Sequence, residues 1–487
     1  MDRAGPALTG CQDTPQLAKS LGSRHVTMIA LGGIIGAGLF VGSSASIATT
    51  GPAIVVSYLL AGLMILVVMR MLGEMATSVP GLGSFTEYAR LGLGGWAGFT
   101  TGWLYWYFGV VVVGIEAIAG AKLLQSWIDL PTWQLGSVLM LMMAGVNLMS
   151  TRSYGEFEFW FASIKVAAIV AFIAIVGGYA FGIGAPDGPT FGNLVAHGGF
   201  APFGPASILA GVTSVIFALS GAEIATIAAA ESSEPARAVA RMTSSVVWRI
   251  LIFYVLSIFL IVSVVPWNRI VVGQSSFAQA LALIGVPGAA TLMNLVVLTA
   301  VLSCLSSSLY ASSRVLFTLS ARGDAPQWLV VLNRRQVPVR SILIASFGGY
   351  LAVLASVFSP DTIFAFLVNA CGVTVLIIYL IIGFAQIRLR RRLEREAPGT
   401  LGVKLWFFPW SSYATIIAMT AVLVAMAFTE GLATQLYLSL LSFAVVLAAY
   451  ALLRRRSGSA IVSEPTPTTV AGDIVVTAQT ITAKPGI

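Results

Sequence analysis

The segment "GGIIGAGLF" (residues 32–40) places four glycines inside a long apolar stretch that would otherwise form an unbroken membrane helix. Glycine in a helix interior costs about 1 kcal/mol relative to alanine, and an opened turn leaves backbone N–H and C=O groups without partners. A bilayer tolerates such groups only where they line a cavity or are buried in protein. The segment therefore predicts a helix that is interrupted inside the membrane, with a cavity beside the interruption.

The composition predicts the environment of this helix. The chain has 487 residues, of which 57% are hydrophobic and 9% are charged, and its mean hydropathy is +0.92. Because a spanning helix needs about 20 apolar residues, the sequence predicts an all-α polytopic membrane protein with about 12 transmembrane helices. They lie at about 26–48, 54–76, 96–125, 132–150, 156–181, 206–230, 243–265, 290–318, 341–358, 361–386, 408–428 and 432–453.

The distribution of charge predicts the topology. The net charge of +8 comes from basic residues at the ends of the spans, not from a basic face that would suit nucleic acid. Most of them fall in alternate gaps, on one side of the bundle. Both termini are therefore expected in the cytoplasm, with residues 1–22 as a tail that has no signal-peptide pattern and residues 456–487 as a disordered tail. So little mass outside the membrane leaves no room for a soluble catalytic domain, so no enzyme is expected.

A second interruption occurs in the sixth span, in "FALSGAEIATIAAAES" (residues 217–232). Five spans separate the two interruptions, as expected for a 5+5 inverted repeat with broken helices 1 and 6. The membrane domain then covers residues 23–455, with repeats at about 26–181 and 206–386 and two added helices at 408–453. A purely structural membrane protein is the alternative, but interrupted helices are typical of transport sites.

The two interruptions together predict a site for a zwitterion. A half-helix that begins after an opened turn presents free N–H groups and a partial positive charge, which suit a carboxylate. We assign this role to Ala37 and Gly38, after the turn at Gly36. The alternative is that the glycines only allow tight helix packing, but Gly36 and Gly38 are two residues apart and do not form a single packing face.

Free carbonyl groups at the other half-helix ends suit an ammonium group by the same reasoning. The candidates are the carbonyls of Ile34 and of Phe217 or Ser220, with Gly221 completing the second opened turn. A small molecule that carries both charges, such as an amino acid, would fit between them.

Ionisable residues within the spans each need an explanation. Glu223 stands beside the second interruption and is a candidate proton-coupling or gating group. Glu116, deep in the third span, is a candidate for binding the substrate amine or a proton. Lys165, about ten residues into the fifth span, is a candidate for exchanging protons and for replacing a bound sodium ion, with serine hydroxyls of the eighth span as partners.

Some ionisable residues in the spans have a purely structural explanation. Lys165 could instead form an internal salt bridge with Glu116 or Glu223 and have no transport role. Glu156 and Glu158 are expected to form interfacial pairs. The sequence contains neither a cluster of metal ligands nor a nucleotide-binding loop, so no metal and no cofactor are expected, and a proton gradient is the expected energy source.

Several motifs resemble the amino acid permeases of the amino acid, polyamine and organocation superfamily, from about residue 20 to 455. They are "SRHVTMIALGGIIGAGLFVGSS" (23–44), the segment "TGPAIVVSYLLAGLMILVVMRMLGEMATSVP" (50–80), "YGEFEFW" (154–160), "IAAAESSEP" (227–235) and "SRVLFTLSARGDAP" (313–326). Within that family, "GLFVGSS", "YGEFEFW", "IATIAAAES" and "WRILIFYVLSIFLIVSVVPWN" are most similar to bacterial permeases for 4-aminobutyrate (GABA).

The resemblance implies twelve spans, a five-plus-five repeat and proton-driven import of an amino acid across the cytoplasmic membrane, with GABA as the leading substrate. It also implies a role for each candidate residue: Gly36, Ala37, Gly38, Ser220, Gly221, Glu223, Glu116 and Lys165. Relatives often carry a hydroxyl residue where this chain has Ala37, so the backbone amides remain for the carboxylate. The alternatives are a permease or exchanger for proline, β-alanine or an aromatic amino acid, or a passive channel or sensor.

Overall fold

A computed structural model describes residues 34–79, 84–149, 151–221, 223–224, 251–429, 431–456, 467–470 and 473–476. Within these residues, eight helical segments are long and apolar enough to cross a membrane, and three shorter apolar helices accompany them. Each of the twelve predicted spans contains a described helix. The prediction of an all-α polytopic membrane fold is therefore confirmed.

The described helices of the first half follow the first interruption. They are a π-helical turn Gly38–Gly42, α1 Ser43–Thr50, α2 Ile54–Ser78, α3 Phe85–Leu93, α4 Gly95–Leu124, α5 Thr132–Met149, α6 Thr151–Ala180 and α7 Asn193–Ala196. A 3₁₀ turn, Gly51–Ala53, joins α1 to α2.

The second half follows the same plan and is succeeded by two more helices. Its helices are α8 Pro205–Leu219, α9 Leu251–Val264, α10 Ser276–Ile284, α11 Ala289–Ala321, α12 Val339–Ala355 and α13 Pro360–Glu396, and the added ones are α14 Trp410–Ala427 and α15 Ala433–Arg456. The 3₁₀ turns are Trp267–Arg269, Gln327–Leu329 and Pro398–Thr400.

The helix lengths of the two halves match in order. After the second span of each half comes a nine-residue helix, α3 or α10, and each has a serine N-cap, Ser84 or Ser275. The next three helices have 30, 18 and 30 residues in the first half and 33, 17 and 37 in the second. This pattern supports the five-plus-five arrangement, while the limits of the repeats stay a prediction.

Helix α4 lies at the centre of the bundle. Its most apolar window is 78% buried, against 11% for α15 at the periphery, and α4 packs against α11, α12 and α13. Close approach of α4 and α11 depends on small residues, because a Cβ on Gly109 would lie only 2.9 Å from the Cβ of Ser312. The central position of α4 brings Glu116 to the middle of the bundle.

Helix α13 continues ten residues beyond 386, the end of the predicted span. Two ion pairs support the extension, and the partners in each are four residues apart, about one helical turn. Arg390 pairs with Glu394 at 3.0 Å, and Arg392 pairs with Glu396 at 2.9 Å. A hydropathy window ends where charges begin, so it misses a helix that continues beyond the apolar region.

This end of the bundle, which we call the arginine-rich end, is fastened by charge pairs. Arg390 also binds the buried Glu74 of α2 at 2.6 Å. Between the second and third spans, Glu87 of α3 pairs with Arg322 at 2.6 Å, and Arg90 pairs with Asp324. Burial raises the pKa of Glu87 above its ordinary value, although Arg322 and Arg90 act in the opposite direction. These pairs hold α3 against the end of α11.

Two short strands, Pro467–Val470 and Asp473–Val476, pair antiparallel after the last helix. They fall within the segment that the sequence predicts to be disordered, so that prediction does not describe these eight residues. The rest of this tail and the N-terminal tail at 1–22 lie outside the described residues, as do residues 26–33, 225–230 and 243–250 of the predicted spans.

Candidate functional site

The first interruption lies at Ile35 and Gly36, which are not helical. Beyond it, Ala37 has helical angles (φ −57°, ψ −30°), and the amides of Leu39 and Phe40 both donate to the carbonyl of Gly36, at 3.3 and 3.4 Å. Since Ala37 is at the start of this turn, its own N–H points away from the helix it begins.

The carboxylate of Glu116 accepts this free N–H. The distances from the nitrogen of Ala37 to the two oxygens of Glu116 are 3.1 and 3.0 Å, in fully buried surroundings. The thiol of Cys304 on α11 also forms a hydrogen bond with Glu116. The sequence assigns the Ala37 amide to a substrate carboxylate and Glu116 to an amine or a proton. In this conformation the two residues bind one another.

The glycines of the first interruption also pack closely against their neighbours. A Cβ on Gly36 would lie 2.5 Å from an oxygen of Glu116, and one on Gly38 would lie 2.7 Å from the Cα of Ala218 on α8. These contacts agree with the alternative explanation, which is tight helix packing, while the role of the glycines in substrate binding stays a prediction. Gly36 faces Glu116, whereas Gly38 faces the second broken helix.

The second interruption follows the end of α8 at Leu219. Ser220 is extended (ψ 162°), and Gly221 has a φ of +103°, a conformation that residues with a side chain rarely adopt. The amide of Gly221 donates to both oxygens of Glu223 at 3.2 Å. Glu223 therefore caps the opened turn from two residues away.

Glu223 also connects the second interruption to another helix. It is buried, and it accepts a hydrogen bond from the hydroxyl of Tyr379 on α13 at 2.8 Å. A movement of the opened turn would therefore have to break or carry this contact. This position is compatible with the gating role that the sequence assigns to Glu223.

The carbonyl groups that were expected to face an ammonium already accept hydrogen bonds. The hydroxyl of Tyr254 donates to Ile34 O at 2.8 Å. The amide and the hydroxyl of Ser220 donate to Phe217 O, at 3.1 and 2.7 Å. Ile34 O has a second lone pair for another donor, whereas Phe217 O already accepts two hydrogen bonds and would have to lose one of them to bind an amine.

Lys165 lies fully buried between the first interruption and α11. Its ammonium donates to Ile35 O at 2.9 Å and to the hydroxyl of Ser303 at 2.7 Å. Ser303 in turn donates to the carboxylate of Glu158. The structure thus selects Ser303 among the serines of the eighth span, and the carboxylate that Lys165 reaches through it is Glu158.

The position of Glu158 differs from the one that the sequence predicts. This residue was expected at the membrane interface, but it is 1% exposed and lies in the interior beside Ser303. A signal was present, because Glu158 and Lys165 are seven residues apart and share one face of α6. Tyr254 had no comparable signal, since its partner Ile34 is 220 residues away.

Residues from both interruptions line one small cavity at the centre of the bundle. Six of the ten candidate residues line it, namely Ile34, Gly38, Glu116, Phe217, Ser220 and Gly221. The remaining lining residues are Phe108, Val112, Ala218, Ile224, Cys304 and Ser308. Gly36, Ala37, Lys165 and Glu223 lie around it and do not line it. The cavity measures about 20 Å³, which is room for about one water molecule. A larger solute can enter only if the surrounding helices move apart.

A helical membrane bundle in which two broken helices meet at a buried polar cavity has the architecture of a secondary transporter. Comparison with known proteins places the chain within this class. Residues 25–461 match the family described as amino acid permease, and the chain belongs to that family.

Two similar relatives carry names that refer to GABA. One is a gamma-aminobutyric acid permease of Bacillus subtilis, 47% identical over 92% of this chain and 96% of the relative. The other is a probable GABA permease of Pseudomonas aeruginosa, 44% identical over 84% and 87%. An aromatic amino acid transport protein of Corynebacterium glutamicum is 36% identical over 88% and 96%.

Gly36 and Gly145 allow a test of the close contact at the first interruption. We expect Gly36→Ala to destabilise the protein by about 1–3 kcal/mol, because its Cβ would push Glu116 and Cys304 aside. We expect Gly145→Ala on α5 to have no effect or to stabilise by up to about 1 kcal/mol, because nothing lies within 4 Å of that Cβ. Thermal unfolding of the two variants in the same detergent measures the difference, and equal midpoints would contradict the contact.

Proposed function

We propose that the protein imports an amino acid across the cytoplasmic membrane together with protons, and that GABA is its leading substrate. Both termini then lie in the cytoplasm. Membership of the amino acid permease family supports the substrate class, and the names of the two relatives at 47% and 44% identity support GABA. The observation that carries the proposal is the bond between the Ala37 amide and Glu116.

This bond identifies the kind of group that the opened helix binds. The free amide of Ala37 has two carboxylate oxygens of Glu116 within 3.1 Å. A substrate carboxylate has the same chemistry, so the substrate and Glu116 compete for one donor. Such a site favours solutes that bring their own carboxylate, as amino acids do.

Protonation of Glu116 would decide this competition. A protonated carboxyl group is a weaker acceptor than a carboxylate, because a hydrogen bond to an ionised acceptor is roughly twice as strong as a neutral one. When Glu116 takes a proton, the Ala37 amide becomes available to the substrate. Binding of the proton and binding of the substrate are then coupled, which is what import driven by a proton gradient requires.

GABA can occupy this site only after the cavity of about 20 Å³ has opened. Its charges are farther apart than those of an α-amino acid, so with its carboxylate at Ala37 and Gly38 its ammonium lies away from the first interruption. We propose that it lies near the second interruption, where Phe217 lines the cavity and Glu223 caps the opened turn. Phe108, Val112 and Ile224 provide an apolar lining for the methylene chain once the cavity opens.

Lys165 supports coupling to protons instead of sodium. Its ammonium holds a backbone carbonyl of the first interruption and a serine hydroxyl of α11, and both are oxygen ligands of the kind that a hard cation prefers. A fixed positive charge at this place makes a bound sodium ion unnecessary.

A permease for aromatic amino acids is the second candidate, because the Corynebacterium glutamicum relative is 36% identical over most of both chains. Proline, β-alanine and exchange of amino acids are further alternatives within transport. A passive channel or a sensor is the alternative outside it, and neither can concentrate a solute.

Uptake by the purified protein in sodium-free vesicles tests the proposal. With an alkaline interior, we expect labelled GABA to accumulate above its external concentration, and we expect an uncoupler to abolish this accumulation. Unlabelled GABA should compete better than proline, β-alanine or phenylalanine. Equilibration without accumulation would indicate a channel, a requirement for sodium would contradict proton coupling, and stronger competition by phenylalanine would support the second candidate.

Lys165 and Lys122 offer a matched pair of lysines. We expect Lys165→Met to reduce GABA accumulation by about 100-fold or more, because it removes a buried charge that holds Ile35 and Ser303. Lys122 forms a pair with the exposed Asp361 at a span end, so Lys122→Met should retain uptake within about twofold. Similar rates for the two variants would show that Lys165 is not needed for coupling.

Glu116→Gln separates coupling from binding. Its amide oxygen still accepts the Ala37 N–H, but it does not titrate, so we expect exchange of labelled GABA to persist while accumulation driven by the pH gradient is lost. Glu396→Gln, on the exposed end of α13, is the control and should accumulate GABA normally. Normal accumulation by Glu116→Gln would mean that another group carries the proton.

A further inference from the structure

Helix α13 extends beyond the membrane at the arginine-rich end. Its 37 residues give a length of about 55 Å, against a hydrocarbon thickness of about 30 Å. The last turns of α13 therefore stand at the level of the lipid headgroups, where the helix is rich in arginine.

One face of α13 changes from apolar to basic along this boundary. Ile381, Phe384, Arg388, Arg391 and Arg395 follow one another at spacings of three and four residues, so they lie on the same side of the helix. Phe384 is half-exposed. The apolar part of this face is at the depth of the acyl chains of the bilayer, and its basic part is at the depth of the lipid headgroups.

Two cavities open on this face and meet at the arginines. One, of about 520 Å³, is largely apolar and is lined by Trp96, Ile381 and Phe384 among others. The second, of about 500 Å³, is polar and is lined by the end of α3 and by residues of α13, among them Glu396, which pairs with Arg392. Arg388 and Arg395 line both cavities. We call the two together the α3–α13 pocket.

The arginines of the pocket face carry uncompensated charge. Among the described residues, Arg388, Arg391 and Arg395 form no ion pair with a carboxylate, whereas the neighbouring Arg390, Arg392 and Arg90 do. Arg391 donates to the hydroxyl of Tyr413 at 2.7 Å, and Arg395 donates to the carbonyl of Arg391 at 3.1 Å. Each keeps further donors for an anion.

We propose that the α3–α13 pocket binds an anionic phospholipid, with its phosphate between Arg388 and Arg395 and an acyl chain along Phe384, Ile381 and Trp96. Guanidinium groups bind phosphate oxygens in bidentate geometry, and basic pockets between helices at a membrane surface bind anionic headgroups. The apolar cavity favours a lipid over a soluble phosphate, because a soluble phosphate would leave it uncovered. The site is separate from the central cavity and independent of the transported solute.

Native mass spectrometry of the purified full-length protein tests the site. The probes are phosphatidylglycerol, phosphatidylcholine and glycerol 3-phosphate, which carries the phosphate without acyl chains. The double variant Arg388→Gln/Arg395→Gln removes the arginines shared by the two cavities. The control Arg454→Gln/Arg455→Gln removes two exposed arginines from the end of α15. Gel filtration and thermal unfolding check that both variants are folded.

We expect phosphatidylglycerol to be retained by the wild-type protein and by the control, and phosphatidylcholine to be lost. The double variant should bind phosphatidylglycerol about 25-fold more weakly, at roughly fivefold for each basic residue near an anionic lipid. Equal weakening in the control would show a general effect of charge and would overturn the proposal. Retention by the double variant, or binding of glycerol 3-phosphate as strong as that of the lipid, would overturn it as well.

Discussion

The bond between the Ala37 amide and the Glu116 carboxylate is the interaction on which the centre of the molecule depends. A backbone N–H that an opened turn leaves in a membrane interior is costly unless it has a partner. A buried carboxylate is costly unless it has donors. The hydrogen bond between them satisfies both groups. The interruption in the first span and the acid in the third are therefore stable in the membrane interior only when they are paired. Gly36 is part of the same solution, because a side chain there would occupy the place of Glu116.

At each interruption a glutamate carboxylate accepts a free backbone N–H, but the two glutamates differ in their distance along the chain from that N–H. Glu223 caps an amide only two residues away, so chain connectivity keeps it there. Glu116 caps an amide 79 residues away, across a contact between α4 and the first interruption. A cap from a distant helix leaves when the helices separate, whereas a local cap moves with its own turn. For this reason we propose that a substrate replaces a carboxylate of the chain at the first interruption and not at the second.

The sequence predicts the fold and the two interruptions because their signals are local. Apolar length identifies the spans, and glycines within them identify the opened turns. Contacts across the bundle are different, because a hydropathy window measures depth along a helix and not the direction a side chain faces. For this reason Glu158 was expected at the interface, although it lies beside Ser303 in the interior. The donor to Ile34 O, Tyr254, could not be predicted either, since only the fold brings them together.

The charge pairs at the two ends of the helical bundle differ in strength. At one end, Lys122 pairs with Asp361, whose side chain is 69% exposed, and such a surface pair contributes about 0–1 kcal/mol. At the arginine-rich end, Glu87 is only 6% exposed in its pair with Arg322, and the pair of Glu74 and Arg390 is buried. Breaking a buried pair leaves a charge without a partner and costs more than breaking an exposed one. Among the residues that the structure describes, the charge pairs therefore hold the helices together more firmly at the arginine-rich end, and opening at the Lys122 end breaks the weaker pair.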